Sequence, residues 1–202
     1  MNTRKPSQDR KAEIVAAMLD LAFEVGPAHV TTGMLAARLG LTQPAIYKHF
    51  PNKKDIWQAV TTSLCTQICK NVAVATQAGG PPLQTLKQLV LGHLHLIATT
   101  PALPEIMTSR DPGGNLTEIR DHIHEAMGTF RAALYLQLNA ANTGGQLRAG
   151  IATADGIMLL FGIIQSLVFR LILTRNPAII EQDGERLLDL QLALLGHEGH
   201  IL

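Results

Sequence analysis

The segment LTQPAIYKHFPNKKDIW, residues 41–57, carries the most information about the fold of this chain. It places a tyrosine, a lysine and a histidine side by side, stops at Pro51 and resumes with two more lysines. On a helix over 43–50, at about 100° per residue, Ile46 and Phe50 share one face, which we expect to be buried. The polar side chains then point outward, and the sequence predicts a short helix with a polar contact surface.

The outward face of this helix has the composition of a DNA-contacting surface. Opposite the apolar pair, or at the N-terminal end, lie four residues: Gln43, Pro44, Ala45 and Lys48. In a major groove these would face base edges, which amide, ammonium and apolar groups can read. Tyr47 and His49 flank that face, where a hydroxyl and a ring N–H suit phosphate oxygens.

The residues before this helix predict a second short helix and a tight turn. A short helix is predicted over 32–39, with Thr31 or Thr32 as its N-cap, and the linker GLT leads to the next helix. Gly40 can take the left-handed conformation that ends a helix, and Thr42 can cap the next one. Two short helices joined by a tight glycine turn are typical of a helix-turn-helix.

The segment PNKKD, which comes next, predicts the start of a third helix. Asn52 can cap this helix, which places Lys53 and Lys54 in its first turn. A helix N-terminus reinforced by lysines attracts a phosphate group. The charge distribution agrees, since residues 1–55 hold eight Lys and Arg against five Asp and Glu, a net +3 in a chain of net +1. This asymmetry predicts an anionic partner for the N-terminal region only.

The whole chain of 202 residues is predicted to be globular and all-α. It is 47% hydrophobic and 16% charged, and alternating strand patterns are absent. Its polar start does not resemble a signal peptide, and two cysteines suit a reducing cytoplasm. Breakers separate about nine predicted helices: 9–25, 32–39, 43–50, 53–76, 82–98, 102–109, 115–141, 152–174 and 182–196.

Over residues 10–60 the chain closely resembles the N-terminal DNA-binding domain of the TetR family of bacterial transcriptional repressors. The resemblance rests on the spacing of Gly26, Thr32, Ala36, Gly40, Leu41, Thr42, Tyr47, His49, Phe50 and Lys53. It implies DNA contacts from Tyr47, Lys48, His49 and Lys53, and from the cap residues Thr32 and Thr42. It also implies a DNA-binding domain over 1–52 and an effector-binding and dimerisation domain over 53–202.

A second unusual stretch is IMLLFGIIQSLVFRLIL, residues 157–173, which is apolar nearly all round. Its length would suit a bilayer, but Gln165, Ser166 and Arg170 in its middle argue against a membrane span. A soluble helix of this kind must be covered on both sides, and a second subunit is the expected cover. The resemblance likewise implies a homodimer through the last two long helices. The predicted interface residues are Leu159, Ile163, Leu167, Arg170, Leu188, Leu192 and Leu195.

The helices between these two regions are expected to hold a small-molecule site. This part is aliphatic and has no run of acids, so an apolar or mixed effector is the default. The candidate lining residues are Trp57, Leu64, Cys65, His93, Met107, Phe130 and Leu134, each of which would also suit a core.

Catalysis has little support in the sequence. The metalloprotease, nucleophile-elbow, phosphate-loop and dinucleotide signatures are absent, so no enzyme activity, cofactor or metal is expected. Cys65 and Cys69 share one helix face, which leaves an alternative open: an all-α small-molecule-binding protein, or a thiol or metal sensor in which these two cysteines carry the response. The main hypothesis is a cytoplasmic repressor, not associated with membranes, that binds a palindromic DNA operator as a dimer and responds to a small effector.

Overall fold

The computed structural model describes residues 7–110 and 116–196. Within those ranges it contains nine α-helices and no β-strand, which confirms the all-α prediction. The helices are α1 (Ser7–Val25), α2 (Thr32–Leu39), α3 (Gln43–Tyr47), α4 (Lys53–Gln77), α5 (Pro82–Thr99), α6 (Ala102–Thr108), α7 (Thr117–Thr143), α8 (Thr153–Thr174) and α9 (Ala178–Leu195). A single 3₁₀ turn, Pro27–His29, follows α1.

The largest differences from the predicted boundaries lie in α3 and α9. Helix α3 ends at Tyr47, and its last turn tightens as the His49 and Phe50 N–H groups both bond to the Ile46 carbonyl, at 2.9 and 3.1 Å. Phe50 precedes Pro51, and a residue before proline is disfavoured in the helical conformation. Helix α9 begins four residues earlier than expected, at Ala178.

The chain forms two compact units. The first, called unit 1, comprises residues 7–65 together with 100–123, of which 111–115 are not described. The second, unit 2, comprises 66–99 and 124–196. Helices α4 and α7 each contribute residues to both units.

Unit 1 has a core built from α1 to α4. Helix α1 buries Ile14, Met18, Leu21 and Ala22, each at most 4% exposed. Recurrence of apolar residues every three or four positions is what places them on one helix face.

Helix α6 packs against α1 and the 3₁₀ turn within unit 1. Its C-terminal end is held by Arg120 of α7, whose Nε donates to the Ile106 carbonyl at 2.7 Å and whose guanidinium also donates to the Ser109 carbonyl. Two donors on one planar group thereby satisfy carbonyls that a helix end leaves unpaired.

Unit 2 is organised around α5, which packs against α8 and α9. Gly184 on α9 permits this close approach, because a Cβ there would lie 3.0 Å from Leu94 Cδ1. Lys87 of α5 also reaches two carboxylates of α9, at 3.1 Å from Glu185 and 2.7 Å from Asp189. Apolar packing and an ion-pair cluster thus hold α5 to α9.

Helix α8 is long and apolar enough to cross a membrane by length and composition, although only 28% of its most apolar window is buried. Its exposed apolar residues form a stripe at helical spacing: Met158, Leu159, Phe169 and Leu173 are 71%, 48%, 62% and 67% exposed. Gly162 lies within this stripe with open space where a side chain would be. Leu190 and Leu194 of α9 are also exposed, at 54% and 64%. Together these residues form an apolar surface that the protomer itself leaves uncovered.

Candidate nucleic-acid interface

Local sequence signals set the geometry of the helix-turn-helix. Thr31 is the N-cap of α2, and its Oγ1 accepts from the Met34 N–H at 3.2 Å. Gly40 ends α2 in the left-handed conformation, with φ 62°. Thr42 occupies the N-cap position of α3, but its side chain makes no capping hydrogen bond. The Thr42 hydroxyl is therefore not committed to capping α3.

Helix α3 turns one face inward and one outward. Ile46 and Phe50 are 0% and 5% exposed, so the apolar pair forms the inner side. The outward positions Gln43, Pro44 and Lys48 are exposed, and Ala45 and His49 are half-buried. The wheel positions of Pro44 and Lys48 correspond to their exposure, whereas Ala45, which the wheel also places outward, is half-buried.

Tyr47 lies on the surface, where its orientation is set by α2. It is 42% exposed, and its hydroxyl lies 3.2 Å from Thr32 Oγ1. Gln43 reaches the same place, because a Cβ on Gly33 would lie 3.2 Å from its Nε2. Two polar side chains of α3 thus approach the first turn of α2.

The start of α4 adds a cationic group. Asn52 caps this helix by accepting from the Asp55 N–H at 2.9 Å, and it also donates to the Asp55 carboxylate at 3.0 Å. Lys53 in the first turn is half-buried, and burial lowers the pKa of its ammonium group. A partly desolvated cation gains from an incoming anion, and the helix N-terminus adds to that attraction.

Lys54, the neighbouring lysine, pairs with Glu118 of α7 at 3.0 Å. Sequence reasoning missed this partner, since nothing local connects two residues so far apart in the chain. Both side chains are largely exposed, so the pair contributes little to stability. It does offset part of the charge that the sequence suggested for this helix start.

The residues predicted to line an effector site fall in both units. Trp57, Leu64, Cys65 and Met107 belong to unit 1, whereas His93, Phe130 and Leu134 belong to unit 2. In unit 2 the His93 ring stacks on Phe130 with centroids 4.6 Å apart, and Phe130 meets the edge of Phe161 at 6.2 Å. Sequence reasoning missed Phe161, because nothing distinguishes it within an almost uniformly apolar helix.

The cysteines do not form a disulfide. Cys65 is half-buried and its thiol lies 3.5 Å from the His122 carbonyl, whereas Cys69 is exposed. In the described part of the chain, no three His, Cys, Asp or Glu side chains cluster closely enough to hold a metal ion. These observations do not favour the thiol- or metal-sensor alternative.

The predicted interface residues of α8 and α9 divide into two groups. Leu159, Ile163 and Arg170 reach the surface, and Arg170 also pairs with Asp183 at 2.7 Å. The other four, Leu167, Leu188, Leu192 and Leu195, are at most 2% exposed and belong to the core of unit 2. They present almost no surface to a partner, because the two helices bury these positions within their own protomer.

Comparison with known proteins agrees with the site geometry. Residues 14–60 match the family described as "Bacterial regulatory proteins, tetR family". The HTH-type transcriptional regulator TtgR of Pseudomonas putida is 27% identical over 199 residues, covering 96% of this chain and 94% of that protein. The class A tetracycline repressor of transposon 1721 from Escherichia coli is 43% identical over 54 residues, covering 27% of this chain and 25% of the repressor.

Solved structures extend the likeness to the whole fold. The ketosteroid transcriptional regulator KstR2 of Mycobacterium tuberculosis superimposes with a TM-score of 0.77 at 15% identity, covering 93% of this chain and 95% of that one. At this identity the superposition supports the fold alone. The relationship to the family rests on the sequence match over residues 14–60. Residues 14–60 therefore carry the DNA-binding segment of the TetR family of bacterial regulatory proteins, and the chain over nearly its whole length is similar to a regulator of this kind.

Proposed function

We propose that this protein is a cytoplasmic, ligand-responsive transcriptional repressor that binds a palindromic operator as a homodimer and is released by a small-molecule effector. The observation that carries the proposal is the outward face of α3 beside the start of α4. There the exposed Tyr47 and Lys48 project from a helix whose other face is buried, close in sequence to the half-buried Lys53.

The proposed contacts fall into two classes. Gln43, Pro44, Ala45 and Lys48 face the base edges, where an amide or ammonium group distinguishes base pairs in the major groove. Thr32, Thr42, Tyr47, His49 and Lys53 contact the phosphate backbone and fix the position of α3 on the duplex. The hydrogen bond between Tyr47 and Thr32 supports this division, since it holds the phenol to one side of α3.

The proposed dimer uses the uncovered surface of α8 and α9. We place Leu159, Phe169 and Leu173 of α8 and Leu190 and Leu194 of α9 in the interface, because these apolar side chains are all exposed in the protomer. Gly162 in the same stripe would let a partner helix approach closely. Two-fold symmetry then presents two α3 helices to two half-sites about one helical turn apart or somewhat more.

The functional division is proposed at residue 52, with DNA binding before it and effector binding and dimerisation over 53–202. Helix α4 connects the two roles, since Lys53 lies in its first turn and its later residues belong to unit 2. An effector shifts operator affinity only by its differential affinity for the two conformations, typically about 5- to 150-fold. Operator must weaken effector binding by the same factor.

Labelled duplexes covering the DNA on both sides of the protein's own gene test the proposal in a gel-shift assay. We expect one fragment to be retained in the presence of excess random duplex at physiological salt. Footprinting within that fragment should reveal a palindrome. If no regulatory fragment containing a palindrome binds better than random duplex, the proposed operator binding is contradicted.

Tyr47→Phe and Lys48→Ala are expected to weaken operator binding in different ways. Loss of the Tyr47 hydroxyl removes a backbone contact and the bond to Thr32, so affinities for operator and random duplex should fall by a similar factor. Lys48→Ala should cost about 1–3 kcal/mol and relax the preference at one base position. Binding to operators substituted one base pair at a time measures both effects. Equal losses on operator and random duplex for Lys48→Ala would assign this residue a purely electrostatic role.

A further inference from the structure

Unit 2 contains an aromatic cluster with a polar member, made of His93 on α5, Phe130 on α7 and Phe161 on α8. His93 stacks on Phe130 at 4.6 Å with an interplanar angle of 29°, and Phe161 meets Phe130 nearly at right angles. His93 and Phe130 are 6% and 2% exposed, and Phe161 is half-buried. We refer to these three residues as the His93 cluster.

His93 occupies a position where the pattern of α5 otherwise calls for an aliphatic residue. The same helix face carries Leu86, Leu89, Val90 and Ile97, each at most 2% exposed. Burial lowers the pKa of His93 to about 4, so the imidazole is neutral near pH 7, with one donor and one acceptor nitrogen.

The ring nitrogens of His93 are not used by the protein. Across residues 7–110 and 116–196, the structure shows no hydrogen bond to either nitrogen of this ring. These nitrogens are not among the fully buried side-chain atoms that lack a partner, so they reach space that a water molecule or a ligand atom can occupy.

The buried residues are also uniformly uncharged. Among the described residues the buried polar side chains are Thr61, Thr85, His93 and Thr100, with no Asp, Glu, Lys or Arg. A charged group brought into such surroundings would lose its hydration without gaining a counterion. An uncharged hydroxyl or carbonyl avoids this penalty and can pair with a neutral imidazole.

We infer that the effector is an uncharged molecule with an apolar ring that lies against Phe130 and Phe161 and one hydroxyl or carbonyl that hydrogen-bonds to His93. This inference rests on the proposed function, since it names the chemistry of the effector of that regulator. His93 supplies polar specificity, while the two phenylalanines and the aliphatic face of α5 supply apolar contact area.

Naphthalene derivatives provide probes that differ in one substituent. Calorimetric titrations of the full-length protein at pH 7.5 would compare 2-naphthol, naphthalene and 2-naphthoate. We expect 2-naphthol to bind more tightly than naphthalene, and the anionic 2-naphthoate to bind at least about tenfold more weakly than 2-naphthol, given the cost of burying an unpaired charge. Binding of 2-naphthoate as tight as that of 2-naphthol, or no binding of any probe, would overturn the inference.

Substitutions of His93 test whether this residue hydrogen-bonds to the effector or only helps to pack the core. His93→Phe keeps an aromatic ring and should reduce the preference for 2-naphthol over naphthalene by up to about tenfold, the value of one hydrogen bond. His95→Phe, at an exposed position on the same helix, is the matched control and should retain the preference. His93→Asn, which keeps a donor and an acceptor, should also retain part of the preference and serves if His93→Phe folds poorly. An unchanged preference for 2-naphthol over naphthalene in His93→Phe would overturn the inference. Loss of that preference in the His95→Phe control as well as in the folded His93 variants would also overturn it.

Operator binding by the same preparations, measured without probe, keeps the two proposals distinguishable. A wild-type protein that binds operator but none of the probes refutes the effector chemistry and leaves DNA binding intact. A protein that binds 2-naphthol through His93 but no palindromic DNA refutes the proposed function instead.

Discussion

Phe169→Glu is expected to make the protein monomeric and to lower its affinity for a full operator at least about a hundredfold. Phe169 is 62% exposed in the protomer and lies in the apolar stripe of α8. In the proposed dimer, two-fold symmetry would bring two such carboxylates into a largely apolar interface, where they lose hydration. The penalty falls on dimerisation and leaves the fold of the protomer intact, because the side chain already faces solvent.

The loss of operator affinity follows from the geometry of two half-sites. In a dimer, binding at one half-site raises the effective concentration of the second α3 at the other, and avidity gains of this kind are about 100- to 10,000-fold. A monomer retains the contacts of a single α3 but loses that gain.

Light scattering coupled to size-exclusion chromatography measures the mass, and fluorescence anisotropy measures operator affinity. Val74→Glu is the matched control, because Val74 is similarly exposed, at 60%, but belongs to α4 and not to the helices of the proposed interface. The control should remain dimeric with unchanged affinity. A dimeric Phe169→Glu variant, or a wild-type protein that is monomeric at micromolar concentration, would place the interface elsewhere.

Acidification is expected to destabilise the protein through His93. Burial lowers the pKa of this residue from 6.5 to about 4, so below pH 6.5 the unfolded chain takes up a proton that the folded chain does not. The contribution to stability is therefore complete above pH 6.5 and is lost as the pH falls toward 4. At about 1.4 kcal/mol per pKa unit, the free energy of unfolding should fall by about 2 kcal/mol between pH 6.5 and pH 5.

Urea unfolding at these two pH values, compared between wild type and His93→Phe, isolates this contribution. The variant should lose about 2 kcal/mol less than wild type, because phenylalanine does not titrate. His95→Phe, on the solvent-exposed side of α5, should follow the wild-type curve. Equal losses of unfolding free energy in wild type and His93→Phe would mean that His93 takes up a proton equally in the folded and the unfolded chain.

The helix-turn-helix was predictable because its signals are local. The φ of Gly40, the cap of Thr31 and the inward face of Ile46 and Phe50 each depend on neighbours a few residues away. The early end of α3 had a local signal as well, since Phe50 precedes a proline.

The rest of the site depends on contacts between distant parts of the chain. Glu118 pairs with Lys54, and Phe161 joins His93 and Phe130, although no sequence spacing relates these residues. Helix α8 is apolar on every side, so its composition does not reveal which face packs inside the protomer. The structure shows this at Leu167, which is fully buried, and Phe169, which is exposed.

The salt dependence of operator binding tests most directly the claim that α3 and the start of α4 bind the phosphate backbone of DNA. Affinity should fall by roughly tenfold or more between about 50 and 200 mM salt if each protomer contributes at least one phosphate-bound lysine. Lys53→Ala should make the slope of log affinity against log salt shallower by about 2 per dimer, whereas Lys70→Ala, on the exposed face of α4, should not change it. Tight operator binding that is insensitive to salt, or a slope that Lys53→Ala does not alter, would contradict the account.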